Sequence, residues 1–238
     1  MIGRAMRADW LKIRRKGLWL LAIIAPVGLI AMQALNYGLR YDYLMEQYAH
    51  DPWGELLKNI LLFVPISLFL GATLISSLLA NIEHHMSSWK QLLALPISRT
   101  AVLTAKFLIS LILLSFSCLL LSIGTLALGA ALKLPLDSIP YGDILRIGFV
   151  PLLASLPMLA LSLWLCMTYK NQTLPVTFGV VIAIMSMFTM TLSEYLPINW
   201  PLFSYYGPQQ ELFAGAGIAC GILILLLGAI HFARKDVG

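Results

Sequence analysis

The residues best suited to chemistry stand together as Glu83, His84 and His85. Two imidazoles beside a carboxylate suggest a metal site or an acid–base pair for hydrolysis. The spacing argues against both. Adjacent side chains on a helix diverge by about 100°, no Cys or further His lies nearby in sequence, and no nucleophile accompanies the pair. Glu83 alone has two readings: a carboxylate that pairs with a basic residue and transmits movement, or a solvated charge at a helix end. Cys118, Cys166 and Cys220 each fall inside an apolar run, with no C-x-x-C spacing. They read as packed thiols, not as a disulfide or zinc framework. The pattern G-x-x-x-x-G-K-[ST] is missing, so this chain does not cradle a nucleotide phosphate in that way. No catalytic, metal or cofactor-binding residue is expected.

The elements around these residues follow from composition. The chain has 238 residues, of which 60% are hydrophobic and 11% charged, whereas a soluble domain carries about 25% charged residues. It reads as an all-α membrane protein forming one domain over residues 1–238. Lipid offers no partners to backbone polar groups, so each crossing needs about 20 apolar residues in a helix. Six stretches qualify, at 17–38, 59–80, 107–132, 147–167, 174–192 and 212–232. Pro151 and Pro157 interrupt the fourth and predict a kink. The first run is too long for a signal-peptide core and lacks an A-x-A site, so it is read as a span.

Orientation follows from where Lys and Arg fall. With both termini in the cytoplasm, twelve basic residues and three acids lie inside, and four basic residues and eight acids lie outside. The inside sum is +9 and the outside sum −4, which recovers the net charge of +5. Topology therefore explains the basic balance without nucleic acid. No Asp, Glu, Lys or Arg falls in the middle of a span, which argues against an ion-coupled carrier.

Several segments outside the spans are informative. Ile2, Met6, Trp10 and Ile13 recur at helical spacing, with Arg4, Arg7, Arg14 and Arg15 largely elsewhere on the wheel. Residues 1–16 thus read as an amphipathic helix on the inner interface, its cations near anionic lipid headgroups. Tyr41, Leu44, Met45 and Tyr48 predict a short helix in the first outer loop. The stretch 194–210 collects Tyr195, Trp200, Phe203 and Tyr205. These are candidate substrate contacts, or aromatics of the kind that gather at any membrane interface. Met185, Met187 and Met190 suit an adaptable surface or ordinary packing. Gly217-x-x-x-Gly221 would let two helices approach closely, although chance also produces the motif.

The most specific stretch is the loop 81–106. Met86, Trp89, Leu92 and Leu93 fall on one helical face, Pro96 stops that helix, and Ser98 can cap the next. A short amphipathic helix between spans two and three suits docking into a groove on a soluble partner. Here Glu83, Trp89, Leu92, Leu93, Pro96, Ile97, Ser98 and Arg99 resemble the pattern of ABC-2 type transporter permeases over about 25 residues. The basic N-terminal helix, the six spans and the long loop before the last span agree with that layout. The size and the opening RADWLKIRRKGLWLL look most like permeases of lantibiotic-immunity and bacitracin-resistance exporters.

The resemblance implies the transmembrane subunit of an ABC transporter in a bacterial cytoplasmic membrane. Glu83, Trp89, Leu92, Leu93, Pro96 and Arg99 would couple it to a separate cytoplasmic ABC ATPase dimer, which holds the ATP and Mg. A second permease chain, identical or related, would complete the pathway for a peptide antibiotic or other amphipathic, lipid-associated substrate. The competing class is a membrane-embedded protein that senses or sequesters a ligand without transport. An intramembrane enzyme is a distant third, because nothing resembles a catalytic dyad.

Overall fold

The computed structural model describes Trp10 and residues 17–85, 99–191 and 193–234. The expected interfacial helix, apart from Trp10, and the segment 86–98 lie outside the described residues. Among the described residues 85% are helical and none lies in a strand. Helix α1 (Leu18–Leu39) starts after Gly17, whose φ of +74° is one that side chains with a Cβ rarely adopt. Helix α2 (Tyr41–Gln47) occupies the position that the Tyr41–Tyr48 spacing predicts. Helix α3 (Pro52–Leu61) is capped by Asp51, whose Oδ1 accepts the Gly54 N–H at 3.0 Å, and Pro52 fits its first turn.

A break at Leu62 and Phe63 separates α3 from α4 (Val64–His85). Pro65 is the physical cause, since it lacks an N–H and its ring crowds the Leu61 carbonyl. The expected span at 59–80 thus begins in the middle of α3. Helix α5 (Arg99–Ala131) ends in a Schellman turn: Leu134 N–H donates to the Gly129 carbonyl at 3.1 Å and Lys133 N–H to that of Ala130 at 3.1 Å. Lys133 takes the left-handed position, φ 57°, that glycine usually fills.

Helices α6 (Tyr141–Ala154) and α7 (Leu156–Thr168) meet at Ser155 with a 49° bend. Pro151 lies inside α6 and Pro157 in the first turn of α7, matching the kink their positions predict. Helix α8 (Thr173–Met185) passes into the 3₁₀ turn Ser186–Thr191, which kinks at Phe188. Helices α9 (Trp200–Tyr206) and α10 (Gln210–Arg234) complete the chain.

Among the described residues, four helical stretches are long and apolar enough to cross a membrane, Leu18–Leu39, Pro52–Glu83, Thr100–Ala131 and Gln210–Ala233, and the bent α6–α7 pair can make a fifth. The segment expected to span at 174–192 appears as Thr173–Phe188, apolar but shorter than the others. Helix α4 lies at the centre, against α1, α5, α7 and α8, while α10 runs along α6 and α7. Accordingly 61% of an apolar 18-residue stretch of Pro52–Glu83 is buried, against 28% of the corresponding stretch in each of the first and last spans. Their outward faces carry Leu20, Ile24, Val27, Leu223 and Leu226, all exposed, a surface suited to lipid. Two interior threonine hydroxyls are satisfied on their own helix: Thr73 donates to the Phe69 carbonyl at 2.8 Å and Thr125 to that of Leu121 at 2.8 Å.

Candidate functional site

At one end of the bundle, the last turn of α4 meets the first turns of α5. Glu83 presents Oε1 to Lys106 Nζ at 3.0 Å, and the two side chains are 0% and 1% exposed. An ion pair withdrawn this far from water is retained only with close geometry, because each charge loses its hydration. The surface pair Lys58–Glu55 is a contrast, longer at 3.4 Å and half open to solvent on the lysine side. Of the two arrangements open to Glu83 in the sequence, paired or solvated, the structure has the pair.

Glu83 and Lys106 therefore form a neck that joins α4 to α5 where the chain leaves for segment 86–98. Of the residues expected to couple to an ATPase, Trp89, Leu92, Leu93 and Pro96 lie outside the described residues. Arg99 opens α5, and nothing is described of its side chain. Nothing in the sequence assigns Lys106 a partner, because Glu83 lies 23 residues away and only antiparallel packing brings them together.

The opposite end carries the aromatics. Tyr195 is 68% exposed, whereas Trp200 is buried beside Ala154 and Phe213, its indole N–H donating to the Tyr195 carbonyl at 3.1 Å. Phe203 rests on Phe213 with ring centroids 6.0 Å apart. Of the four expected substrate contacts, Trp200 is thus buried, Phe203 and Tyr205 half-buried and Tyr195 exposed. Tyr205 alone reaches a recess of about 710 Å³, lined also by Trp53, Glu55, Lys58, Asp143 and Tyr206. Burial, reinforced by the nearby Asp143 carboxylate and opposed by Arg146, pushes the Tyr205 phenol up to about 12. It therefore stays protonated, a hydrogen-bond donor across the physiological range. Trp53 is anchored by its indole N–H to the Pro135 carbonyl at 2.9 Å and packs over Gly129. The Tyr41 hydroxyl donates to the Leu132 carbonyl at 3.1 Å, so two side chains tie down this end of α5.

The remaining candidates find structural places. Cys118 is buried, its thiol 3.4 Å from the Gly148 carbonyl; Cys166 is buried and Cys220 half-buried. Met185 and Met187 are exposed on the side of the bundle. Gly217 and Gly221 face the Ser155 bend of the same chain: a Cβ on Gly217 would lie 2.5 Å from Ala154 Cα, and one on Gly221 2.7 Å from Leu156 Cβ. Among the described residues, no three His, Cys, Asp or Glu side chains are grouped to hold a metal ion.

A family model described as ABC-2 family transporter protein matches residues 5–186. That match includes the Glu83–Lys106 neck and stops before α9 and α10. Comparisons with curated proteins and with solved structures found no match. The family match extends over more than half of the chain, and the chain belongs to the ABC-2 transporter family.

Proposed function

We propose that this ABC-2 family chain is the permease of an exporter whose ATP is hydrolysed by a separate cytoplasmic ABC ATPase dimer docked on segment 86–98. The observation that carries this reading is the buried Glu83–Lys106 pair at the neck of that segment. Helix α5 has 33 residues, about 50 Å at 1.5 Å per residue, against a hydrocarbon core of about 30 Å. Its far end is held by Tyr41 and Trp53. Trp19, in the first turn of α1, meets Phe116 midway along α5, ring centroids 5.3 Å apart. The surplus of α5 therefore extends past the start of α1, on the side where α4 ends in Glu83.

The bias of Lys and Arg puts this projecting side in the cytoplasm. A helix over about residues 87–95, with Trp89, Leu92 and Leu93 on one face, would seat in the ATPase. The ion pair would make α4 and α5 answer as one body, so that movement at the loop reaches the spans. ATP-Mg on the partner then biases a pathway with two accessible states.

In this reading six crossings put both termini in the cytoplasm of a bacterial cell: four long helices, the bent α6–α7 pair, and α8 with its 3₁₀ extension. Residues 1–16 lie along the inner interface. Trp10 supports that placement by stacking edge-on against Trp19, ring centroids 5.6 Å apart. A second permease chain, identical or related, lies beside the first. The substrate is a peptide antibiotic or another amphipathic, lipid-associated molecule, as the resemblance to lantibiotic-immunity and bacitracin-resistance permeases suggests.

Leu92→Asp tests the docking role. Purified complex in liposomes should lose at least about tenfold in transport-coupled ATP hydrolysis, the effect of a buried charge costing 1.4 kcal/mol or more at an interface. The thermal melting of the permease alone should stay unchanged. Retained coupling would remove the docking assignment, and purification without any ATPase would favour a sensing or sequestering protein instead.

A further inference from the structure

We infer that the break between α3 and α4 is a two-state joint, and that Gln33 on α1 is the positioning residue that latches it. Its part in a transport cycle rests on the export reading above; the latch itself rests on the hydrogen bonds across the break. In a continuous α-helix each N–H donates to the carbonyl four residues earlier, so Phe63 would serve Asn59 and residue 65 would serve Leu61. Here the Phe63 N–H donates to the Ile60 carbonyl at 3.0 Å, a 3₁₀ contact, and Pro65 has no N–H to give. The Asn59 carbonyl is left to find a donor from another helix.

That donor is on α1. Gln33 Nε2 donates to the Asn59 carbonyl at 3.0 Å, and the Asn59 side-chain amide donates to the Tyr37 hydroxyl at 3.4 Å. Gln33 and Tyr37 are 2% and 1% exposed and stand one turn apart on the same face of α1. Inside a bilayer a freed backbone carbonyl meets no water, and side-chain amides join helices by such bonds.

The latched arrangement is not fully satisfied, which brings a second arrangement close to it in energy. Gln33 Oε1 is buried and takes no hydrogen bond, a cost that a purely structural contact would shed. Returning the Phe63 N–H to the Asn59 carbonyl would release Gln33 and convert one 3₁₀ step into an α step. The turn per residue falls from about 120° to about 100°, so α3 would rotate by about 20° relative to α4. Trp53, near the start of α3, reports that rotation, because its indole N–H is held by the Pro135 carbonyl at 2.9 Å and its ring packs over Gly129. In the export reading the joint lets the outer part of Pro52–Glu83 change while Glu83 stays bound to Lys106.

The test incorporates 5-fluorotryptophan into the full chain in phosphatidylcholine nanodiscs and assigns the Trp53 fluorine signal by its loss in Trp53→Phe. Gln33→Leu should raise a second Trp53 signal about fivefold relative to the first, the effect of one net hydrogen bond on two states. Pro65→Ala removes the cause of the break, leaves Gln33 in place and should shift the signals the same way. Thr73→Val is the control, since this buried hydroxyl donates within its own helix, to the Phe69 carbonyl, and the Trp53 signal should hold. A Trp53 signal unchanged by Gln33→Leu or by Pro65→Ala, or changed equally by Thr73→Val, would overturn the assignment. A signal that answers to Gln33→Leu but not to ATP in the complete complex would leave the latch standing and count against the export reading.

Discussion

Glu83→Ala is expected to destabilise the protein by about 3–5 kcal/mol, the cost of removing one member of a buried ion pair. Lys106, 1% exposed, would lose the carboxylate that now stands 3.0 Å away. Lys106→Ala should cost a similar amount for the mirror-image reason. The pair Lys58–Glu55 sets the scale, since its longer contact and open lysine put it among exposed pairs worth about 0–1 kcal/mol. Breaking it should scarcely move the melting temperature. Melting of detergent-solubilised variants measures all three.

The double variant Glu83→Leu with Lys106→Met separates stability from coupling. Apolar residues of similar volume often replace a buried pair at no cost, because the desolvation of both ions disappears. The double variant is therefore expected to recover most of the stability that either alanine variant loses. Export should stay impaired, because an apolar contact permits α4 and α5 to slide where a directional ion pair does not. A double variant as unstable as Glu83→Ala would show that other contacts hold the neck. One that exports normally would show that the neck does not transmit the loop's motion.

Why the neck was half legible in the sequence is a matter of distance. Glu83 stood out as a charge at the end of an apolar run, and Lys106 lay at the start of the next, but nothing local links two residues on different helices. The Ser155 bend was legible because Pro151 and Pro157 act on their own helix. The break before α4 was not read, although Pro65 causes it, because the apolar run continues from Ile60 to Val64 without a change of composition. The places of the aromatics of 194–210 are hidden in the sequence for a related reason. In the seven-residue α9, Trp200 turns inward and Tyr206 outward, and only the packing of α10 decides which. The recess is invisible in the sequence because Trp53, Glu55, Asp143 and Tyr205 come from separate segments, each with the composition of an ordinary loop or helix end.

Gly217 and Gly221 show the same division, with the pattern visible and the partner hidden, and they lead to the second large effect. The motif suggests a helix pair, and the structure makes the partner the Ser155 bend within the same chain. A methyl group at Gly217 would meet Ala154 Cα at 2.5 Å and the Leu153 carbonyl oxygen at 2.7 Å, both backbone atoms that no rotamer change can move. At Gly221 the obstacles are Leu156 Cβ at 2.7 Å and its carbonyl carbon at 3.1 Å. Alanine gains up to about 1 kcal/mol over glycine in a helix, but overpacking costs about 1–3 kcal/mol, so the clash should win at both sites. Gly215, exposed on the same helix with nothing within 4 Å of its would-be Cβ, should show the opposite sign. Melting should therefore fall for Gly217→Ala and Gly221→Ala and hold or rise for Gly215→Ala. The double variant should lose less than the sum, since the first methyl already lifts α10 from the bend that both glycines touch. If Gly217→Ala melts like Gly215→Ala, the bend does not rest on α10, and the bent pair draws its support from elsewhere.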